Sequence, residues 1–168
     1  IRNADLALYR AKSAGRGAFH FFEPGMDVQM QVRCELENDM RNALSAGQFE
    51  LHYQPVLNLE SDDIVGVEAL IRWHHPKRGM VAPGEFIPLA EETGFIVPLG
   101  EWVIRQACAT AAAWPGKVKI AVNLSPAQFK SPGLVPTVLS ALASSGLAAN
   151  RLELEITENV LLQDATAT

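Results

Sequence analysis

Cysteine is scarce. Cys34 and Cys108 are the only two in 168 residues, they lie far apart, and neither has a CxxC or Cys/His companion. A disulfide framework is therefore not expected, and a reducing, cytoplasmic setting fits best. Basic surplus is also missing, because 14 Lys and Arg face 19 Asp and Glu for a net charge of -5. That balance gives no footprint for duplex nucleic acid or an anionic membrane, so an anionic ligand must be held by a local site. No apolar run approaches the ~20 residues that span a bilayer, and no signal peptide is visible. Membrane attachment is expected only through segments outside these residues. What the chain does have is 48% hydrophobic residues, enough for a sizeable core in one domain. It opens on Ile1-Arg2-Asn3 and closes on Thr166-Ala167-Thr168, and both ends are expected to be cuts through a longer protein.

Residues 5–14 predict a short amphipathic helix capped by Asp5, with Leu6 and Tyr9 on one face. Gly15 and Gly17 stop it, and Phe19-His20-Phe21-Phe22 predicts a short strand. Over 27–46, Val28, Val32, Leu36, Met40 and Leu44 recur at helical spacing, with charged and amide residues on the other faces, up to Gly47. This linker helix either docks on its own domain or carries a homodimer seam.

Beyond Gly47 the texture changes to strands alternating with helices, which predicts an α/β fold. Strands are expected over 49–57, 64–73, 118–124 and 152–156, and helices over 83–92, 99–114 and 134–145. The polar stretch 58–63 joins the first two strands directly, so they should form a hairpin. Pro98, Gly100, Pro115, Gly116 and Pro136 punctuate the helical stretches. Trp73, Trp102 and Trp114 read as core packing. His74 and His75 read as loop residues ahead of Pro76, and Glu91 and Glu92 as a solvated helix face.

Within the second strand, Ile64-Val65-Gly66-Val67-Glu68-Ala69-Leu70-Ile71-Arg72-Trp73, a carboxylate stands among apolar neighbours. Burying it unpaired would cost several kcal/mol, so Glu68 needs a cation, a metal or a dense hydrogen-bond network. A salt bridge with Arg72 would satisfy it; so would a metal. Asn123 and Glu155 are polar residues likewise set within or at the ends of apolar strands. Glu155 follows Asn123 by 32 residues, close to the ~30 of one βα unit of a (β/α)8 barrel. Asn123 follows Glu68 by 55, nearer two units. Parallel strands would bring the three side chains to one mouth, at the C-terminal strand ends where barrel sites lie. Two carboxylates and an amide oxygen are hard ligands, suited to Mg²⁺, Mn²⁺ or Ca²⁺ rather than zinc.

The motifs sharpen this. The segment Ala4-Asp5-Leu6-Ala7-Leu8-Tyr9-Arg10-Ala11-Lys12-Ser13-Ala14-Gly15-Arg16-Gly17 resembles the closing motif of a GGDEF domain, the family that makes cyclic di-GMP, with Gly17 where Asn is usual. Tyr53-Gln54-Pro55-Val56, Glu68-Ala69-Leu70-Ile71-Arg72-Trp73, the run Pro83-Gly84-Glu85-Phe86-Ile87-Pro88 with its continuation to Gly94, Asn123-Leu124-Ser125 and Glu155-Ile156-Thr157-Glu158 resemble, in order, the signature motifs of the EAL family. The resemblance implies a partial (β/α)8, TIM-like barrel with an antiparallel first strand. It implies three parts: 1–24 as the tail of a GGDEF domain, 25–47 as a linker helix, and 48–168 as the N-terminal half of an EAL domain. The implied activity is hydrolysis of cyclic di-GMP to linear pGpG with Mg²⁺ or Mn²⁺.

Carried over by motif, Glu68, Asn123 and Glu155 would be metal ligands, with Glu68 also counted as catalytic. Glu158 would brace those ligands and a neighbouring loop, a supporting catalytic role. Gln54 and Arg72 would hold the dinucleotide. The family's Asp-Asp pair and lysine belong to later strands and are not in this sequence, so the 168 residues alone are expected to turn over little substrate. A cyclic di-GMP receptor that signals without cleavage is the alternative.

Overall fold

The computed structural model describes Phe21 and residues 25–156. The expected helix over 5–14, most of the short aromatic strand and Glu158 lie outside the described residues. Contacts divide the chain into two units after Asn42. The first unit's helix, α1 (Met26–Ala43), carries i,i+4 pairs: Gln31 Nε2 donates to Glu35 Oε1 at 3.2 Å and Arg41 Nη2 to Glu37 Oε1 at 3.0 Å. The helix stops at Ala43 rather than running to 46. There the Gln48 amide returns to the Ala43 carbonyl at 3.0 Å, a turn completed by Gly47 at φ 66°.

In the second unit, β1 (Phe49–Leu57) and β2 (Ile64–His75) form the expected antiparallel hairpin. Its turn is built by local polar chemistry. Asn58 Oδ1 accepts from the Glu60 amide at 2.8 Å, the Asn58 amide donates to the Asp63 carbonyl at 2.9 Å, and Asp62 takes φ 56°, a left-handed value that Asp tolerates. β3 (Gly79–Val81) adds to the end of β2, and α2 (Pro83–Thr93), α3 (Ile96–Ala112) and β4 (Lys119–Leu124) follow. A short α4 (Pro126–Phe129), α5 (Leu134–Ser145), a 3₁₀ turn (Ala149–Arg151) and β5 (Leu152–Ile156) complete the described chain. The sheet order is β1-β2-β4-β5, antiparallel in the first pair and parallel from β2 onward. Helical crossovers between β2, β4 and β5 allow that parallel pairing.

Strand alternation sorts the sheet into two faces. One is apolar, with Leu51 and Tyr53, Ala69 and Ile71, Ile120, Val122 and Leu124, then Leu152 and Leu154, and it packs on Val103, Ile104, Ala107, Cys108, Ala111 and Ala141 of α3 and α5. Tyr53 donates to Thr110 Oγ1 at 3.0 Å and stands edge-on to Trp114. Arg151 closes the far end of α3, donating to the Ala111 carbonyl at 2.8 Å and to the Val118 carbonyl at 3.0 Å. Cys108 lies in this core, where burial pushes its thiol up. At the other end Trp73 is fully buried beside Phe49, Phe86 and His75.

Gly100 breaks nothing; it sits inside α3, four residues past its start. A Cβ there would fall on the buried Gln128 amide, 2.6 Å from its Cδ. Gln128 cannot swing away freely. Its Oε1 accepts from the Ser125 amide at 3.0 Å while its own amide donates to Ser125 Oγ, a capping box that starts α4. Gly100→Ala should therefore cost about 1–3 kcal/mol from overpacking and a disturbed cap. An unchanged urea midpoint for that variant would show that Gln128 relocates at no cost.

Candidate functional site

The other face of the sheet is polar. By register, Gln54 lies directly opposite Glu68, and Asn123 directly opposite Glu155. Asn123 Nδ2 donates to Glu68 Oε1 at 2.6 Å, so the amide is the partner that the half-buried carboxylate required. The anticipated Glu68–Arg72 salt bridge does not form, and among the described residues Arg72 pairs with no carboxylate. Its Nη1 donates instead to the Ile71 carbonyl at 2.8 Å. Four positions along one strand separate the two Cα atoms by about 13 Å, with Leu70 between them on the same face. Gln54, Asn123 and Glu155 are exposed and Arg72 is half-buried. Glu158 lies outside the described residues, so its place relative to this set is not described.

Glu68 thus stands midway along β2, and Asn123 and Glu155 stand next to last in β4 and β5, on three adjacent parallel strands. Their chemistry fits a hard divalent cation. Carboxylate oxygens from two strands flank an amide whose oxygen comes into play by a rotation of its terminal group, and the open face leaves room for the waters that Mg²⁺ and Mn²⁺ retain.

Beside them a cleft of about 220 Å³ runs between residues 69–72 of β2, the C-terminal end of β4 and the helices α2 and α3. Leu70, Arg72, Ile87, Glu91, Leu99 and Asn123 are among its walls. Glu91, expected on a solvated helix face, borders this cleft, and partial burial raises its carboxyl above the ordinary range. The Asn123-Leu124-Ser125 motif is held at the cleft by the Ser125–Gln128 capping box, a legible S-x-x-Q signal that periodicity alone passed over.

Two residues expected in a loop belong to β2. His74 and His75 extend it because their partners extend too: His74 pairs with Met80 of β3 and its amide donates to the Gln48 carbonyl at 2.9 Å. His75 is buried against Trp73, and its Nδ1 accepts from the Lys77 and Arg78 amides at 3.1 and 3.2 Å, tightening the turn. His74 points to the polar face, where its Nε2 meets Glu50 Oε1 at 2.5 Å, and His52 Nε2 meets the same oxygen at 2.6 Å. Hydrogen bonds from His74 and then His52 hold the Glu50 carboxyl below the usual carboxylate range.

Among the described residues no helix is long and apolar enough to cross a membrane. A family model described as EAL domain matches residues 37–168. The y4lL protein of Sinorhizobium fredii is 51% identical over 164 residues, which is 98% of this chain and 20% of that protein. The bifunctional diguanylate cyclase/cyclic di-GMP phosphodiesterase MucR of Pseudomonas aeruginosa is 45% identical over 169 residues, 98% of this chain and 25% of MucR. A solved structure of the PaMucR phosphodiesterase in complex with cyclic di-GMP superposes with TM-score 0.74 at 45% identity, covering 79% of this chain and 56% of that one. The chain therefore spans a fifth to a quarter of the length of these curated relatives.

Proposed function

The chain belongs to the EAL-domain family, and we propose that it forms the metal- and phosphate-binding half of a barrel that hydrolyses cyclic di-GMP to linear pGpG. The observation that carries this is the 2.6 Å contact between Asn123 and Glu68, with Glu155 and Gln54 in register on the same polar face. In this reading Glu68, Asn123 and Glu155 hold Mg²⁺ or Mn²⁺, with Glu158 bracing them. When bound, the ion supplies an acidified water and a clamp on the phosphoryl charge. Gln54 and Arg72 orient the dinucleotide: the guanidinium offers charge-assisted hydrogen bonds to a phosphate, and the apolar cleft beside it has walls suited to a planar base. Local positive potential then comes from the ion and Arg72, which reconciles an anionic substrate with a net charge of -5.

Residues 1–24 are, in the same proposal, the tail of a cytoplasmic GGDEF domain joined through the linker 25–47, with its helix α1, to the EAL part, residues 48–168. The 4–17 motif supports this, as does MucR, a relative that pairs a diguanylate cyclase with a phosphodiesterase. The Asp-Asp pair and lysine implied for later strands are not in the sequence, so these 168 residues by themselves should show little turnover. Metal-dependent pGpG formed by the purified chain above a Glu68→Ala control would overturn that point.

Arg72 gives a sharper test. Arg72→Ala should weaken cyclic di-GMP binding by about 10- to 100-fold, the worth of hydrogen bonds to a charged group, while Mn²⁺ affinity stays as it was. Calorimetric titration with each ligand separates the two. Equal cyclic di-GMP affinity in wild type and variant would remove Arg72 from the phosphate site.

A further inference from the structure

We propose that Glu50, His52 and His74 form a second cation site, selective for borderline divalent metals of the Zn²⁺ class and distinct from the hard-ligand set at Glu68. The sheet builds it. Glu50 and His52 sit two apart on β1 and so share a face, while His74 on β2 lies one diagonal step beyond Arg72, the residue paired with Glu50. One ligand atom from each of the three falls within 4.8 Å of the others, and all three residues are exposed to solvent.

Both imidazole Nε2 atoms already converge on one carboxylate oxygen, at 2.6 and 2.5 Å. Zinc bonds of about 2.0–2.2 Å place tetrahedral ligand atoms about 3.4 Å apart, so the cluster need open by only about an ångström to admit an ion. Each Nε2 would give up its hydrogen bond to Glu50 and present its lone pair, with the ring proton carried on Nδ1. Two imidazoles and a carboxylate are a zinc-type ligand set, with water completing the coordination. They are a poor match to Mg²⁺, which prefers oxygen donors. The hard site at Glu68 has the opposite bias. Two sites a few residues apart on one sheet face thus sort cations by donor chemistry. The zinc-type site would in addition tie β1 to the C-terminal end of β2.

The test is competition between the full 168-residue chain and a colorimetric chelator for Zn²⁺ alone. A Cys34→Ser background removes the exposed thiol as a rival ligand. One equivalent should bind, and His52→Ala and His74→Ala should each raise the Kd at least about tenfold. Glu68→Ala should leave it unchanged, which separates this site from the proposed catalytic one. Mapping diethyl pyrocarbonate modification by mass spectrometry gives a second readout that needs no variant: Zn²⁺ should protect His52 and His74. If Zn²⁺ binds no tighter to wild type than to the two histidine variants, or leaves both histidines as reactive as before, the site does not exist. A loss of Zn²⁺ binding in Glu68→Ala with the histidine variants unaffected would assign the ion to the hard-ligand set and equally overturn the proposal.

Discussion

Glu68→Ala is expected to lower metal-dependent cleavage of cyclic di-GMP, by the protein that carries this chain, at least about a hundredfold. Removing a residue that merely supports a metal ligand typically costs 10- to 100-fold, so removing a ligand should cost no less. Stability should barely move. Glu68 is only half-buried, and its partner Asn123 is exposed, so the amide freed by the substitution can turn to water instead of being stranded. Pairing a rate assay in Mn²⁺ with a thermal melt separates the two effects. A rate within a few-fold of wild type would remove Glu68 from the metal site. An equal collapse of rate and melting temperature would mean that the carboxylate serves the fold.

Trp73→Ala should do the reverse and act through the fold. The indole is fully buried, with ring centroids 5.5 Å from Phe49, 5.7 Å from Phe86 and 5.3 Å from His75, and its Nε1 donates to Gln48 Oε1 at 3.2 Å. Truncating such a side chain costs about 3–5 kcal/mol through lost contacts and the cavity left behind. Domains of this size hold only about 5–15 kcal/mol in total. Because Trp73 anchors the strand that carries Glu68 and Arg72, ligand binding should fall with the fold. Chemical denaturation measures it, with Trp73→Phe as the milder comparison, since it keeps part of the ring contact. A loss under 1 kcal/mol for the alanine variant would mean the aromatic cluster repacks around the gap.

The strands that carry the site were legible because each is short, apolar and bounded by turn residues. The limits of β1 and β5 agree with the expected 49–57 and 152–156. The polar stretch 58–63 marked the hairpin, and Asn58 and Asp62 build its turn because their side chains favour turns and left-handed backbone. What escaped depends on partners distant in the chain. His74 and His75 resemble loop residues until β3, three residues long, pairs with them. Gly100 resembles a helix stop, and only the approach of Gln128 explains why a helix interior wants no side chain there. The partner of Glu68 could not be chosen locally either, since Arg72 is near in sequence while Asn123 is near in space. The cluster of Glu50, His52 and His74 was hidden for the same reason, because its third member reaches the others only through the hairpin register.

If Glu68, Asn123 and Glu155 together hold the divalent ion, Mn²⁺ titration followed by electron paramagnetic resonance will register the loss of each ligand. Mn²⁺ should bind the wild-type chain saturably, with affinity weakened at least about tenfold by Asn123→Ala and by Glu155→Gln and unchanged by His52→Ala. Mn²⁺ affinity equal to wild type in both the Asn123 and Glu155 variants would contradict that ligand set.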